Sequence, residues 1–109
     1  MQGFRIMNAQ KIMLPTEDIL ATLRKLQAQA RKKYKAEIKG IFGSVVRGEA
    51  RKGSDLDVLV EFQDTANLLD FVGLANFIED TLHCPVDVVP ANSLREEIKP
   101  SVLRETLYL

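Results

Sequence analysis

Two aspartates at alternate positions before an apolar run are the residues best suited to chemistry. Asp55 and Asp57 stand on either side of Leu56 and lead into the run Val58-Leu59-Val60. Because residues i and i+2 of a strand project to the same face, this strand would bring the two carboxylates together. Adjacent carboxylates repel each other, and a fold rarely keeps them side by side without a cation. Such oxygen ligands suit Mg²⁺, which commonly binds one or two carboxylates together with substrate phosphates and water.

A third carboxylate, Asp87, stands alone in the apolar segment Val86–Val89. A single acid in such a strand faces either solvent or a functional cleft. If this strand lies beside that of Asp57, Asp87 joins the other two carboxylates on one face. Three carboxylates can hold two Mg²⁺ or Mn²⁺ ions about 4 Å apart and so clamp both oxygens of an in-line phosphoryl displacement. Asp87 would also be placed to accept the proton of an attacking hydroxyl.

The pair Gly43-Ser44, which ten residues (45–54) separate from the acid pair, has the character of a phosphate-binding turn. Glycine lets a phosphate approach the backbone closely, and the hydroxyl and N–H groups at a helix start can bind its oxygens. Arg47 lies one turn further on and could reach the same anion, with help from Arg51 or Lys52. A surface ion pair is an equal alternative for Arg47.

Simpler interpretations exist for each part of this pattern. Gly43-Ser44 could be a surface turn, and the two spaced acids could be a solvated pair. The combination of both features with Asp87 favours a functional site instead. Ser54 is best explained as a turn or cap residue. His83 and Cys84 have no metal-ligand spacing with other residues, so we interpret both as structural.

The apolar periodicity predicts the elements that must position these residues. Thr16 is predicted to cap the first helix. Their order is typical of an α/β or α+β structure in which helices pack on a small mixed sheet. In chain order they are a helix over Thr16–Ala36, a strand over Ile38–Phe42, a short helix or turn over Ser44–Arg51, a strand over Leu56–Phe62, a helix over Leu68–Leu82, a strand over Val86–Val89, and a helix that starts at a Ser93–Glu96 capping box, breaks or restarts at Pro100 and ends with the piece Ser101–Leu107.

Length and composition limit the class of protein. The chain of 109 residues fits a single domain over 1–109, with an N-terminal extension over 1–15. Fifteen basic residues balance fifteen acidic ones, which argues against a nucleic-acid partner. We find no signal peptide and no apolar run near the roughly 20 residues that cross a membrane. The single cysteine suits a reducing compartment, so we expect a cytoplasmic protein.

The stretches Gly43-Ser44-Val45-Val46-Arg47-Gly48 and Ser54-Asp55-Leu56-Asp57-Val58-Leu59-Val60 resemble the signature of the DNA-polymerase-β-type nucleotidyltransferase superfamily. The short length and the segment Pro85-Val86-Asp87-Val88-Val89 are similar to its smallest branch, the minimal nucleotidyltransferases (MNT), which are often antitoxins beside HEPN-domain toxins. The resemblance covers residues 16 to 109. One departure is Val46, where many relatives carry alanine, and it affects packing rather than chemistry.

This resemblance implies a fold, a set of site residues and a reaction. It implies a mixed sheet flanked by helices, with Asp55, Asp57 and Asp87 as ligands of two metal ions. It also implies that Gly43, Ser44 and Arg47 bind an NTP, for which we expect ATP. Active members of the branch move AMP from ATP onto a tyrosine hydroxyl of the partner toxin, which implies a complex of the two proteins.

Three functions stay open at this point. The chain could be an adenylyltransferase that modifies a HEPN toxin, an antitoxin of the same fold that acts by contact alone, or a transferase for a small molecule or an RNA end. The acid triad favours an enzyme, because a pure binder has no reason to keep repelling carboxylates. The balanced charge counts against an RNA substrate.

Overall fold

A computed structural model describes residues 14–51 and 53–109 of the chain. The predicted helices and mixed sheet are confirmed. Of the predicted N-terminal extension, only Leu14 and Pro15 lie within the described residues. The elements are α1 (Thr16–Tyr34), β1 (Ala36–Phe42), α2 (Ser44–Arg47), β2 (Leu56–Phe62), α3 (Leu68–Leu82), β3 (Val86–Pro90), a 3₁₀ turn (Ala91–Ser93), α4 (Lys99–Glu105) and β4 (Leu107–Tyr108).

The four strands form one mixed sheet in the order β3-β2-β1-β4. β1 runs antiparallel to both β2 and β4, whereas β2 and β3 are parallel. The register of β1 against β2 shifts between Ile38 and Gly40. The parallel register of β2 and β3 sets Asp57 directly opposite Asp87, and this pairing places the site.

The hydrophobic core lies between the sheet and the two long helices, because α1 packs on β1, α3 packs on β3, and the two helices pack on each other. Apolar residues at helical spacing on both helices are fully buried there, and alternate residues of the strands meet them. The largest of the completely buried side chains in this core cluster are Leu23, Ile38, Ile41, Leu56, Val58, Val60, Leu74 and Ile78.

No helix in the described part of the chain is long and apolar enough to span a membrane.

The first helix begins and ends differently from the prediction. Thr16 is the first helical residue and not the cap, since Pro15 occupies the cap position and its carbonyl oxygen accepts the N–H groups of Asp18 and Ile19. The helix ends at Tyr34 because Lys35 takes a left-handed conformation with φ of 54°. The chain then enters β1 two residues earlier than predicted.

The C-terminal prediction was wrong in two respects. Ser93 does not open a capping box, since it ends the 3₁₀ turn and its hydroxyl donates to the carbonyl oxygen of Pro90. The helix begins only at Lys99 and not at the predicted box, with Pro100 in its first turn, so of the predicted break or restart at Pro100 the restart is observed. Proline is tolerated there because the first-turn N–H groups have no partner within the helix.

Strand β4 is an element that the apolar periodicity did not predict. Leu107 and Tyr108 pair with Ile41 and Gly40 of β1, and the Leu109 N–H donates to the Lys39 carbonyl oxygen. Gly40 makes this approach possible, because a Cβ at that position would overlap the carbonyl oxygen of Leu107. The strand fastens the C-terminus to the sheet and directs α4 towards the end of β1.

Candidate active site

Asp57 and Asp87 face each other across the parallel pair of β2 and β3. Their strand neighbours Leu56, Val58 and Val88 point into the core, so both aspartates project from the opposite face of the sheet. Asp57 is partly buried, whereas Asp87 is exposed on a strand at the edge of the sheet. The structure therefore brings together two of the three predicted acids.

The third acid, Asp55, lies immediately before β2 and not inside it. Its side chain is exposed, and its charge is close enough to raise the pKa of Asp57. Ser54, one residue earlier, accepts a hydrogen bond from the Arg51 backbone N–H at 2.8 Å, so its interpretation as a turn residue is confirmed. Arg51 is exposed, and Lys52 lies outside the described residues.

Gly43 connects the end of β1 to the start of α2 and lies against Asp57. Phe42 pairs with Asp57 in the sheet, so the next residue turns directly over that carboxylate. Gly43 has φ of 87° and ψ of −157°, a conformation that is essentially restricted to glycine. A Cβ at this position would also overlap Asp57 Oδ2. Backbone shape and close approach both require glycine here, which places Ser44 at the start of α2 beside the acids.

The pKa of Asp57 is raised from 3.8 to about 6. Burial is the main cause, because it disfavours the charged form, and the charges of Asp87 and Asp55 raise the pKa further. Arg47 lowers it, but does not compensate. The fold thus holds a carboxylate where ionisation is unfavourable, as expected of a group that meets a cation or a proton during function.

Asp57→Asn should make the metal-free protein more stable at pH 7.5. Since the folded-state pKa of about 6 exceeds the ordinary value of 3.8, the folded protein binds more protons between these values. Stability therefore falls as pH rises through this interval and stays lower above it. Removing the charge should raise the free energy of unfolding by on the order of 1–2 kcal/mol after allowance for solvent screening.

Thermal unfolding in EDTA at pH 7.5 and pH 4 measures this effect. The gain should be present at pH 7.5 and absent at pH 4. Asp64→Asn, an exposed acid in the turn after β2, is the matched control and should change stability by less than about 0.5 kcal/mol. A destabilised Asp57→Asn protein at pH 7.5 would show that the carboxylate is not under repulsion.

Arg47 takes part in two ion pairs that leave it on the rim of the site. Its Nε donates to Glu49 Oε1 at 3.0 Å, and its Nη1 donates to Glu105 Oε1 at 2.9 Å. These hydrogen bonds raise the pKa of Arg47, with that to Glu49 contributing most, and Arg47 in turn lowers the pKa of Glu105. Of the two alternatives for Arg47, the ion pair is observed, and both partners leave further N–H groups of the guanidinium unused.

Glu105 is a site residue that sequence reasoning missed. Besides its ion pair with Arg47, its Oε2 accepts the backbone N–H of Gly43 at 2.7 Å. The two partners are 58 and 62 residues away along the chain. No local pattern could indicate this, because α4 comes to the site only through the pairing of β4 with β1.

A cleft of about 380 Å³ opens between the start of α2 and α4. One wall belongs to the Gly43-Ser44 turn and the other to the helix that carries Glu105. Asp57 lines this cleft, whereas Asp55 and Asp87 are not part of its lining. The lining residues are Phe42, Gly43, Ser44, Arg47, Asp57, Ser101, Val102 and Glu105.

The donor set at the acids fits a hard divalent cation bound together with a substrate. Asp55, Asp57 and Asp87 offer only carboxylate oxygens, and a cation would relieve the repulsion felt by Asp57. Across 14–51 and 53–109, no three acidic, histidine or cysteine side chains stand close enough to hold one ion by themselves. Mg²⁺ commonly takes only one or two carboxylates and completes its shell with phosphate oxygens and water, so these acids fit that mode of binding.

Comparisons with known proteins show the family of this chain. Residues 21–109 match the family described as the nucleotidyltransferase domain. The protein adenylyltransferase MntA of Thermococcus cleftensis is 39% identical over 97 residues, which cover 89% of this chain and 98% of that protein.

Two solved structures share the fold. One, assigned as a minimal nucleotidyltransferase, is 39% identical, has a TM-score of 0.66, and is matched over 83% of this chain and 95% of its own. The other is a chain from a crystal structure of a toxin–antitoxin with AMP-PNP, with a TM-score of 0.60 over 79% of this chain and 70% of its own. At 23% identity, this second likeness supports the fold alone.

Proposed function

Because this chain belongs to the nucleotidyltransferase-domain family, in its minimal branch, we propose that it transfers AMP from ATP to a hydroxyl group of a partner protein. The partner we propose is a HEPN-domain toxin, which the modification neutralises. In this proposal the whole chain, 1–109, acts as one catalytic domain.

The observation that carries the proposal is the pairing of Asp57 with Asp87 beside the Gly43-Ser44 turn. Transfer of a nucleotidyl group needs carboxylates at the reacting phosphate and donors at the phosphates that leave. In the proposal Asp57 joins the two, since it faces Asp87 across the sheet and lies against Gly43 of the turn. An isolated acid pair or an isolated turn would not support this reaction.

In the proposed site the acids bind metal ions, and one of them also accepts a proton. Asp55, Asp57 and Asp87 would hold two Mg²⁺ ions, or Mn²⁺, and the bound ions would neutralise charge on the phosphates. Asp87 accepts the proton of the attacking hydroxyl, which suits its place on the exposed side of the pair. Asp57 lies between the acceptor side and the nucleotide side.

The nucleotide phosphates are proposed to lie in the cleft beside α2. The Ser44 hydroxyl at the helix start and the N–H groups of Arg47 that its two ion pairs leave over are the donors, and Gly43 lets the phosphates approach the backbone closely. The cleft of about 380 Å³ accommodates a triphosphate against these groups. Transfer then breaks the bond between the α- and β-phosphates, and pyrophosphate leaves on this side.

The exposure of Asp87 favours a protein as the acceptor. Among the described strands, β3 is at the edge of the sheet, so a large partner can reach this carboxylate. A protein surface that docks there supplies the positioning on which much of the rate depends.

The free thiol of Cys84 suits a reducing compartment, and we propose that the reaction takes place in the cytoplasm.

Intact-mass spectrometry of the partner tests the proposal. After incubation with the chain, ATP and Mg²⁺, a cognate HEPN-domain protein should gain the mass of one or more AMP units. Asp55→Asn should abolish this gain, because it removes a carboxylate from the proposed metal site. Asp80→Asn, the same change at an exposed position of α3, should leave it unchanged.

An alternative outcome would identify an antitoxin that acts by contact alone. In that case the partner keeps its mass, and both the wild-type chain and Asp55→Asn bind it tightly. Transfer of AMP to an RNA end or a small molecule, with the partner unmodified, would place the enzyme in a different substrate class.

A further inference from the structure

Glu105 ends α4 at the rim of the cleft and is in contact with two parts of the nucleotide-binding turn. One carboxylate oxygen accepts the Gly43 backbone N–H at 2.7 Å, and the other accepts Arg47 Nη1 at 2.9 Å. The Glu105 side chain is 26% exposed, and its bond to Gly43 is partly buried, whereas its bond to Arg47 is exposed. A single side chain therefore connects both ends of α2 to the C-terminal helix.

We infer that Glu105 is a positioning residue for nucleotide binding, which holds the Gly43 turn and the Arg47 guanidinium in the arrangement that receives the phosphates. This inference rests on the proposed function, because Gly43, Ser44 and Arg47 are there the phosphate-binding residues. The inference makes α4, which lines the cleft, part of the proposed nucleotide-binding site.

The turn needs an external support of this kind. α2 has only four residues and no side-chain hydrogen bond caps its first turn, so local interactions alone stabilise it weakly. Gly43 is held in a conformation that other residues avoid. A bond to its N–H from a helix that is anchored by β4 compensates for both weaknesses.

The guanidinium retains donors for a phosphate while Glu105 holds it. Glu49 takes Nε and Glu105 takes one N–H of Nη1, whereas a guanidinium carries five N–H groups. Nη2 and the second N–H of Nη1 therefore stay available to the nucleotide. Glu105 fixes the direction of these groups. Glu49, whose side chain is 63% exposed, bonds the turn through its backbone, since its N–H donates to the Ser44 carbonyl oxygen, and Glu49→Ala would leave that bond in place.

ATP affinity, measured by calorimetry with Mg²⁺ and without an acceptor, is the direct test. Glu105→Ala should weaken binding about tenfold or more, because two hydrogen bonds to a charged or structurally required group are lost. Glu105→Gln keeps the volume and one acceptor oxygen, and should recover part of this affinity. Glu49→Ala removes the other ion pair of Arg47 and should change affinity by less than about twofold.

A double-mutant cycle with Arg47→Ala separates positioning from simple packing. If Glu105 acts through Arg47 and the turn, Glu105→Ala should weaken binding less in the Arg47→Ala background than in the wild type. In steady-state kinetics, Glu105→Ala should raise KM for ATP by a larger factor than it lowers kcat, as expected of a residue that acts on nucleotide binding. If Glu105→Ala does not fold, the ATP affinities of Glu105→Gln and Glu49→Gln are compared instead. Weaker binding by Glu105→Gln than by Glu49→Gln would then support the positioning role of Glu105.

Each contrary result has its own meaning. Unchanged affinity in Glu105→Ala would overturn the inference, and tighter binding would show that the carboxylate competes with phosphate. An undiminished loss in the Arg47→Ala background would refute the role through Arg47, because only the bond to Gly43 or the packing of α4 could then explain it. A wild-type chain that does not bind ATP would refute the proposed function instead.

Discussion

Asp87→Asn should lower the rate of AMP transfer by about 100- to 10,000-fold while ATP affinity changes far less. The asparagine keeps the shape of the side chain but cannot accept the proton of the attacking hydroxyl. ATP affinity should depend mainly on the Gly43-Ser44 turn, on Arg47 and on Asp57, which line the cleft, whereas Asp87 is outside its lining. The loss should therefore appear in kcat more than in KM.

Single-turnover transfer and calorimetric ATP binding measure the two quantities separately. Ser44→Ala is the matched contrast, because it removes a phosphate donor and should weaken ATP binding with a smaller effect on the bound-state rate. Asp80→Asn controls for the loss of one negative charge. Full transfer by Asp87→Asn would rule out its role as proton acceptor, and an equal loss of ATP affinity would restrict Asp87 to metal binding.

Gly43→Ala should reduce transfer by at least about 100-fold, because the methyl group must displace Asp57 from its position. The added Cβ would overlap Asp57 Oδ2, and the backbone conformation costs a further 1–3 kcal/mol or so for any residue with a side chain. Asp57 and the Gly43 turn cannot both keep their positions once residue 43 carries a Cβ. Stability and activity should therefore fall together.

Gly53→Ala is the matched control for backbone strain. Its φ of 89° is close to the 87° of Gly43, but a Cβ there meets no atom of the described residues within 4 Å. It should lose stability by on the order of 1 kcal/mol and keep transfer within about twofold. Thermal unfolding and single-turnover transfer of both variants separate the two causes. Equal loss of activity in both would mean that strain alone, and not contact with Asp57, explains the glycine.

The likeness to the nucleotidyltransferase family and the physical chemistry of the site point the same way, but they bear on different questions. The family match establishes the class of reaction. The raised pKa of Asp57 and the exposure of Asp87 supply the reasons why a cation and a large acceptor suit this particular chain. The experiments above test these reasons residue by residue.

Local pattern was sufficient wherever neighbours along the chain decide the structure. The bounds of β2 and of the helix Leu68–Leu82 agree with the prediction. In both elements, apolar residues recur at a regular spacing over several residues, and the residues at that spacing are the ones buried in the core. Asp57 and the lone acid in β3 were likewise visible because each lies in a strand that the sequence marks clearly, whereas Asp55 stands just before β2 and not inside the predicted strand.

Only the tertiary structure decided which distant groups meet. The parallel register that pairs Asp57 with Asp87 depends on how α3 returns the chain to the sheet. The contacts of Glu105 with Gly43 and Arg47 depend on β4 and on the start of α4 at Lys99. Two residues of β4 and a seven-residue helix carry too little periodic signal to be recognised alone. β4 is placed by its pairing with β1, and α4 is bonded through Glu105 to Gly43 and Arg47, which are 62 and 58 residues earlier in the chain. No local sequence pattern encodes such distant contacts.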